Sequence, residues 1–325
     1  MLIHSNSLAQ QLRLMMLRCL SSAALVLMLA GALSVRAQTP TPTPFSSGSD
    51  GRHGAFSDTS FPQSNCARSG SRITCTPPDD GIFHFTTVNI SRNVDVVFQP
   101  NTRNTPVTIL ATGDVRIANT FYVNGEGGND ANSIGGRGGP GGFRGGNGGV
   151  WLSDPSGKSG DGPGGGGGAV ATSAYLNGIG GAGGGGGGAI LIASSTQITF
   201  EGGDISIRAI GGDAGCSNRI CGGGGSGGAI RLVANTIIGN PQLLAYGGDR
   251  RGFRGNYGGV GYIRYEAFNL EQFKPTFGGQ FGNFSFGRPN PVTLANDPQL
   301  RILSVGGVNA LPSLAGRSTP LSQTW

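Results

Sequence analysis

Four cysteines, Cys66, Cys75, Cys216 and Cys221, stand in two local pairs, SNCARSGSRITC and CSNRIC. Thiols so placed can close short loops as disulfides or ligate zinc. The spacings are not those of C-x-x-C zinc sites, and His53 and His84 sit in no ligand pattern. Local pairing, Cys66 with Cys75 and Cys216 with Cys221, is therefore the expected one of three connectivities. Asp79 and Asp80 are adjacent, so on a strand they would face opposite ways. Asp204, Ser206 and Arg208 fall on one outward face of another strand by the same alternation. Glycoside hydrolysis needs two carboxyl groups at a fixed separation. Polysaccharide lyase chemistry needs a carboxylate-bound cation with Arg or Lys as base. Neither set is assembled here, and solvated surface charge is the expected role of these residues. Asp130, Asp161, Asp213 and Asp249 lie in glycine-rich turns, where oxygen ligands for calcium can converge. The G-G-x-G-x-D repeat of calcium-binding rolls is not reproduced. Gly157-Lys158-Ser159 has the end of a phosphate loop, but Leu152 replaces its first glycine. No catalytic residue and no cofactor is assigned, and metal ligands stay open.

The elements that would position these residues are short strands. GGAILIA (187–193) matches GGAIRLVA (227–234) at an offset of forty, and PVTILA (106–111) and GYIRYEA (261–267) fit the same slot. Apolar residues alternate with period two, so the segments read as strands. Ile190, Ile192, Ile198, Phe200, Ile205 and Ile207 share one face, as do Ile230 with Leu232 and Ile263 with Tyr265. Arg231 and Arg264 take the opposite face, at the slot of Leu191 and Thr108, and with Arg116 and Arg208 they could form an outward ladder. Strands this short cannot bury a face alone, whereas stacked repeats share one interior. The expected fold is all-β: a short right-handed parallel β-helix, a β-solenoid of about five coils with long glycine-rich loops.

Glycine makes up 63 of 325 residues, against a usual share of about 7%. The tracts at 125–149, 157–168, 178–188, 222–228 and 247–260 permit tight turns or packed polyglycine II helices. Flexible loops projecting from one side are the preferred reading. Loss of Gly-X-Y register excludes collagen.

The N-terminus reads as a signal peptide, residues 1–37. Arg13 and Arg18 precede the apolar run SSAALVLMLAGA, and Val35-Arg36-Ala37 completes a cleavage site that leaves Gln38 first. A retained anchor is the alternative, but the run is short for a span of about 20 residues. No later stretch is long enough to cross a bilayer. Removing Arg13, Arg18 and Arg36 leaves 20 basic against 17 acidic residues, and no clustered basic face suggests nucleic acid. Residues 38–48 form a Pro/Thr-rich spacer without a core-forming pattern, and 49–80 an irregular segment with the first cysteine pair. Residues 81–270 hold the solenoid. Residues 271–325 form a Phe-rich cap and loose tail, in which LRILSVGGV could add one strand.

The set DDGIFHFTTVNI, TPVTILATGDVRIA, GGAILIASSTQITF and GGGGSGGAIRLVA resembles a class of exported glycine-rich proteins of environmental bacteria. These are uncharacterised and similar to pectin-lyase-type right-handed parallel β-helices. The resemblance covers about residues 79–270 and implies no catalytic residues. The expectation is an exported, non-enzymatic structural or adhesive protein of the cell surface or matrix, contacting polysaccharide or another surface polymer. A carbohydrate-active enzyme on the same scaffold is the alternative. If the faces are assigned correctly, Ile230→Asp buries an unpartnered charge at a cost of several kcal/mol, and cooperative unfolding by circular dichroism is lost. Arg231→Asp, facing outward, is expected to be tolerated.

Overall fold

The computed structural model describes residues 44–60, 65–150, 153–154, 156–162, 164–169, 179–203, 205–217, 220–250, 256–278, 283–292, 304–305 and 308–309. The expected signal peptide lies outside them, as do Leu152, Asp204 and much of LRILSVGGV.

Among the described residues the chain is all-β. It opens with β1 (Phe56–Ser57), the hairpin β2 (Cys66–Ser69) and β3 (Arg72–Cys75), then β4 (Ile82–Phe85), β5 (Val88–Ile90), β6 (Asp95–Phe98), β7 (Val107–Ala111), β8 (Val115–Ile117) and β9 (Phe121–Tyr122). After the first glycine tracts come β10 (Ala189–Phe200), β11 (Ser206–Arg208), the hairpin β12 (Cys216–Ser217) and β13 (Ile220–Cys221), β14 (Ala229–Ile238), β15 (Gln242–Leu244), β16 (Tyr262–Asn269) and β17 (Asn283–Gly287). A last hairpin joins β18 (Ser304–Val305) and β19 (Val308–Asn309).

Two main sheets result. The larger has nine strands, along β1-β5-β8-β10-β14-β16-β17, with β7 beside β10 and β4 beside β7, and all its pairings are parallel. The smaller runs β15-β11-β9-β6-β3-β2, parallel except at the β2–β3 hairpin. From β4 to β16 the chain alternates between them, the short β12–β13 hairpin aside. Register follows the sequence repeats: Ile190 pairs with Val107 and Ile230, and Ile230 with Ile263.

One apolar core lies between the two sheets. Ile109, Ile192, Leu232 and Ile198 enter it from the larger sheet, and Val96, Phe121, Ile207 and Leu243 from the smaller. At one end Phe56, Phe85 and Phe83 stack at 5.1 and 5.4 Å. At the other, Phe273 packs on Phe200 and Tyr265. Each disulfide joins residues directly opposite on an antiparallel hairpin, Cys66 to Cys75 and Cys216 to Cys221.

The Pro/Thr-rich segment is not bare of core contacts at its end. Phe45 is 8% exposed and packs on Leu110, Ala193 and Val233, on the outer face of the larger sheet. From there residues 44–51 run across the strands. Asn235 Oδ1 accepts the Phe45 N–H at 2.8 Å, Ser195 Oγ accepts the Ser47 N–H at 3.0 Å, Ser47 Oγ donates to Ala111 O at 2.7 Å, and Ser49 Oγ donates to Phe85 O at 2.8 Å. Four strands are thereby tied by one strap.

The glycine tracts are not projecting loops; they are packed against one another. From Gly183 to Gly188 each N–H donates to a different neighbour in strict rotation. Gly183 and Gly186 donate to Gly146 and Phe143, Gly184 and Gly187 to Gly223 and Ser226, and Gly185 and Gly188 to Glu126 and Val123, all at 2.7–2.9 Å. A repeat of three with no internal bonds is the symmetry of an extended three-residue-per-turn helix. Residues 180–186 are buried with a single side chain among them, Ala182. A side chain would block this approach: a methyl on Gly185 would lie 2.0 Å from Arg137 O. The projecting-loop expectation fails because it gave the tract amides to water, and they bond between tracts instead.

Gly185→Ala is therefore expected to lower stability by at least about 1–3 kcal/mol, the cost of overpacking a site that cannot give way. Gly203→Ala meets nothing within 4 Å, and its thermal unfolding midpoint should match the parent's. Equal midpoints for both variants would contradict the packed arrangement.

Candidate functional site

The outer face of the larger sheet carries columns set by register. Ile82, Thr108, Leu191, Arg231, Arg264 and Ser285 follow one another on successive strands, about 4.8 Å apart as parallel strands must be. The next outward column is His84, Leu110, Ala193, Val233 and Glu266. The strap covers its middle, Leu110 to Val233, and Glu266 continues the row beyond it.

Glu266 is fully buried. Arg231 donates through Nε to Oε1 at 3.0 Å and through Nη2 to Oε2 at 3.2 Å, Arg264 Nε donates to Oε1 at 2.5 Å, and the Asn290 N–H donates to Oε2 at 2.7 Å. Burial pushes its pKa up, but the two guanidinium bonds and the amide outweigh it, so the carboxyl sits below its usual range and stays ionised. The same bond raises Arg264 further. Arg231 thus faces outward, as its register requires, yet holds a buried anion. The expectation that Arg231→Asp is tolerated is corrected accordingly. It would set a second carboxylate against Glu266, and breaking a buried pair costs about 3–5 kcal/mol.

Beside this triad a cavity of about 530 Å³ opens along the first column, lined among others by Thr108, Leu191, Arg231, Tyr262, Arg264 and Glu266. Tyr262 is 46% exposed and its hydroxyl donates to Ser285 Oγ at 2.7 Å. Among the described residues the wall carries two guanidinium groups against one carboxylate.

The other sequence candidates scatter. Arg208 lies on the smaller sheet, its guanidinium 5.5 Å from the Tyr122 ring, and Arg116 is paired with Glu201 at 2.6 Å, so the four arginines form no single ladder. Ser206 does share a face with Arg208, whose Nε donates to its Oγ at 2.9 Å, but it is buried, 3.1 Å from Thr120 Oγ1, rather than solvated. Asp80 caps the Ile82 N–H at 3.0 Å and Asp79 lies 3.3 Å from Thr102 Oγ1, both exposed. Lys158 pairs with Asp154. Asp130 accepts the Cys216 N–H at 2.8 Å, and Asp213 meets Asp249, whereas Asp161 lies elsewhere. Cys66, Cys75, Cys216 and Cys221 are all disulfide-bonded. No group of three or more metal-ligating side chains occurs among the described residues.

Sequence spacing gave no sign that His53 and His84 meet. His53 Nδ1 accepts the His84 N–H at 2.9 Å, and His84 Nδ1 accepts the Asp50 N–H at 3.3 Å. Both rings thus anchor the end of the strap through lone pairs. Burial first, and then the Arg52 charge, lowers both imidazole pKa values, consistent with neutral acceptors.

Comparison with family models, with curated proteins and with solved structures returned no match. Among the described residues no helix is long and apolar enough to cross a membrane.

Acid should weaken the fold in two stages. Below pH 6.5, the reference value for histidine, the unfolded chain binds protons that the folded His53 and His84 resist, so stability falls with pH. Further down, Glu266 is lost: its folded pKa lies below 4.5, so its contribution is whole above that pH and disappears as pH drops through the folded value. Denaturant titrations across pH should show both stages, and His53→Gln/His84→Gln should flatten only the upper one.

Proposed function

We propose that this chain is an exported, non-enzymatic structural or adhesive protein of the cell surface or extracellular matrix. Its sheets close as a right-handed parallel β-solenoid, and the outer groove takes an extracellular polysaccharide with carboxylate groups. Alternation between two parallel sheets supports the closure, and crossovers between parallel strands are right-handed in about 98% of cases. Two disulfides fit an oxidising compartment. The observation that carries the ligand reading is the 530 Å³ groove along the Thr108–Leu191–Arg231–Arg264 column, where the Arg231 and Arg264 side chains, 32% and 33% exposed, share one wall with Tyr262. A rigid row of donors suits a polymer that repeats its acceptors, and the Tyr262 ring offers an apolar face to a sugar. Glu266 has both oxygens engaged by Arg231, Arg264 and the Asn290 N–H, which favours holding a ligand over proton transfer.

Mature protein beginning at Gln38, incubated with pectate, alginate and neutral glucans, should retain the acidic polymers, less so as salt rises. Tyr262→Ala and Leu191→Glu should weaken retention about tenfold, equivalent to about 1.4 kcal/mol. Unchanged retention in both variants would remove the groove from the account. Release of unsaturated or reducing ends would turn the reading to a carbohydrate-active enzyme.

A further inference from the structure

A second concave site lies away from this groove, at the margin of the packed glycine tracts. Asp213 and Asp249 are brought together there. The Asp249 N–H donates to Asp213 Oδ1 at 2.8 Å, the Ala214 N–H donates to Asp249 O at 2.8 Å, and Asp249 Oδ1 accepts the Arg250 N–H at 2.6 Å. Among the described residues the second oxygen of each carboxylate accepts no hydrogen bond. Tyr246, Tyr257, Gly247 and Gly258 complete a cavity of about 190 Å³. Tyr257 is 52% exposed, with the Arg250 guanidinium 5.0 Å from its ring centre. The glycines are in backbone contact, since a methyl on Gly247 would lie 2.2 Å from Gly258 O, and Gly258 N–H donates to Gly248 O at 3.0 Å.

From this arrangement we infer that the pocket is a second carbohydrate subsite, shaped for one uncharged sugar ring. Each chemical element of such a site is present. The tyrosine rings offer apolar faces to the C–H face of a pyranose. Carboxylate oxygens accept hydrogen bonds from hydroxyl groups, and such charge-assisted bonds are the stronger kind. Among the described residues two carboxylates stand against one guanidinium, which disfavours a uronate, the reverse of the groove. The floor is backbone held by other tracts, so little ordering accompanies binding. This rests on the reading that the protein binds polysaccharide, and it adds the class of sugar and a separate place for it.

The test titrates the mature protein with methyl α-mannoside, methyl β-galactoside and galacturonate, followed by tyrosine fluorescence and by NMR. At least one neutral glycoside should give a saturable change with a Kd on the order of 1 mM or tighter. Tyr257→Ala and Asp249→Asn should each weaken it about tenfold or more, with unfolding midpoints unchanged, while Tyr262→Ala leaves it as in the parent. Absence of saturable binding by either neutral glycoside, equal binding of galacturonate at this pocket, or loss on Tyr262→Ala rather than Tyr257→Ala would overturn the inference. Retention of acidic polymers by the groove would persist in those cases, so failure here is distinct from failure of the broader reading.

Discussion

Backbone amides can bond to backbone carbonyls of a neighbouring tract only where nothing stands between them, and the glycine segments of this chain remove everything that would. A methyl on Gly184 would lie 1.9 Å from Gly212 O, and one on Gly225 2.0 Å from Gly185 O. Glycine loses more entropy on folding than any other residue, so a chain this rich in it needs a return for ordering. The return is a set of hydrogen bonds in three directions around the inner tracts, Gly183–Gly188 and Gly222–Gly228, in a region where side chains supply almost no apolar burial. Without it the span between β9 and β10, and the turns after β11 and β15, would be long unpaired excursions from two small sheets.

The rest of the molecule works around that constraint. The parallel strands bury one apolar face in common, which ties Val107, Ile190, Ile230 and Ile263 into a single row. Their outer face is closed by other means: the strap over Leu110, Ala193 and Val233, and the ionic triad around Glu266. The groove lies along the Arg231–Arg264 column, beside the row that the strap covers. The binding chemistry we propose thus sits on the stiff sheet, where strand spacing fixes the distance between donors.

Period-two alternation made the strands, their register and their inward face legible, because side-chain direction on a strand follows position alone. The same rule put Arg231 and Arg264 outward, and they are. It could not reveal what lies above them. Glu266 alternates outward too, and is buried only because Arg231, Arg264 and the later Asn290 close over it. Ser206 alternates with two buried isoleucines and keeps the face of Arg208, but that face is covered there: Arg208 Nε and the buried hydroxyl of Thr120, 86 residues away, take its oxygen. His53 and His84 meet through strap geometry that no spacing encodes. The glycine tracts were the least legible part, since a residue without a side chain leaves no pattern to read. Their order is written in backbone bonds of period three, which appear only when all the tracts are placed together.

Hydrogen exchange of the amides of Gly183–Gly188 and Gly222–Gly228, read by mass spectrometry or NMR on the folded protein in native buffer, tests this account most directly. If the tracts are a hydrogen-bonded block, those amides should be protected to nearly the same degree as β10 and β14, and all should open together as denaturant is added. Exchange at the rate of an unstructured peptide in the tracts, beside protected strands, would mean that the glycine segments are loops after all and that the two sheets stand without them.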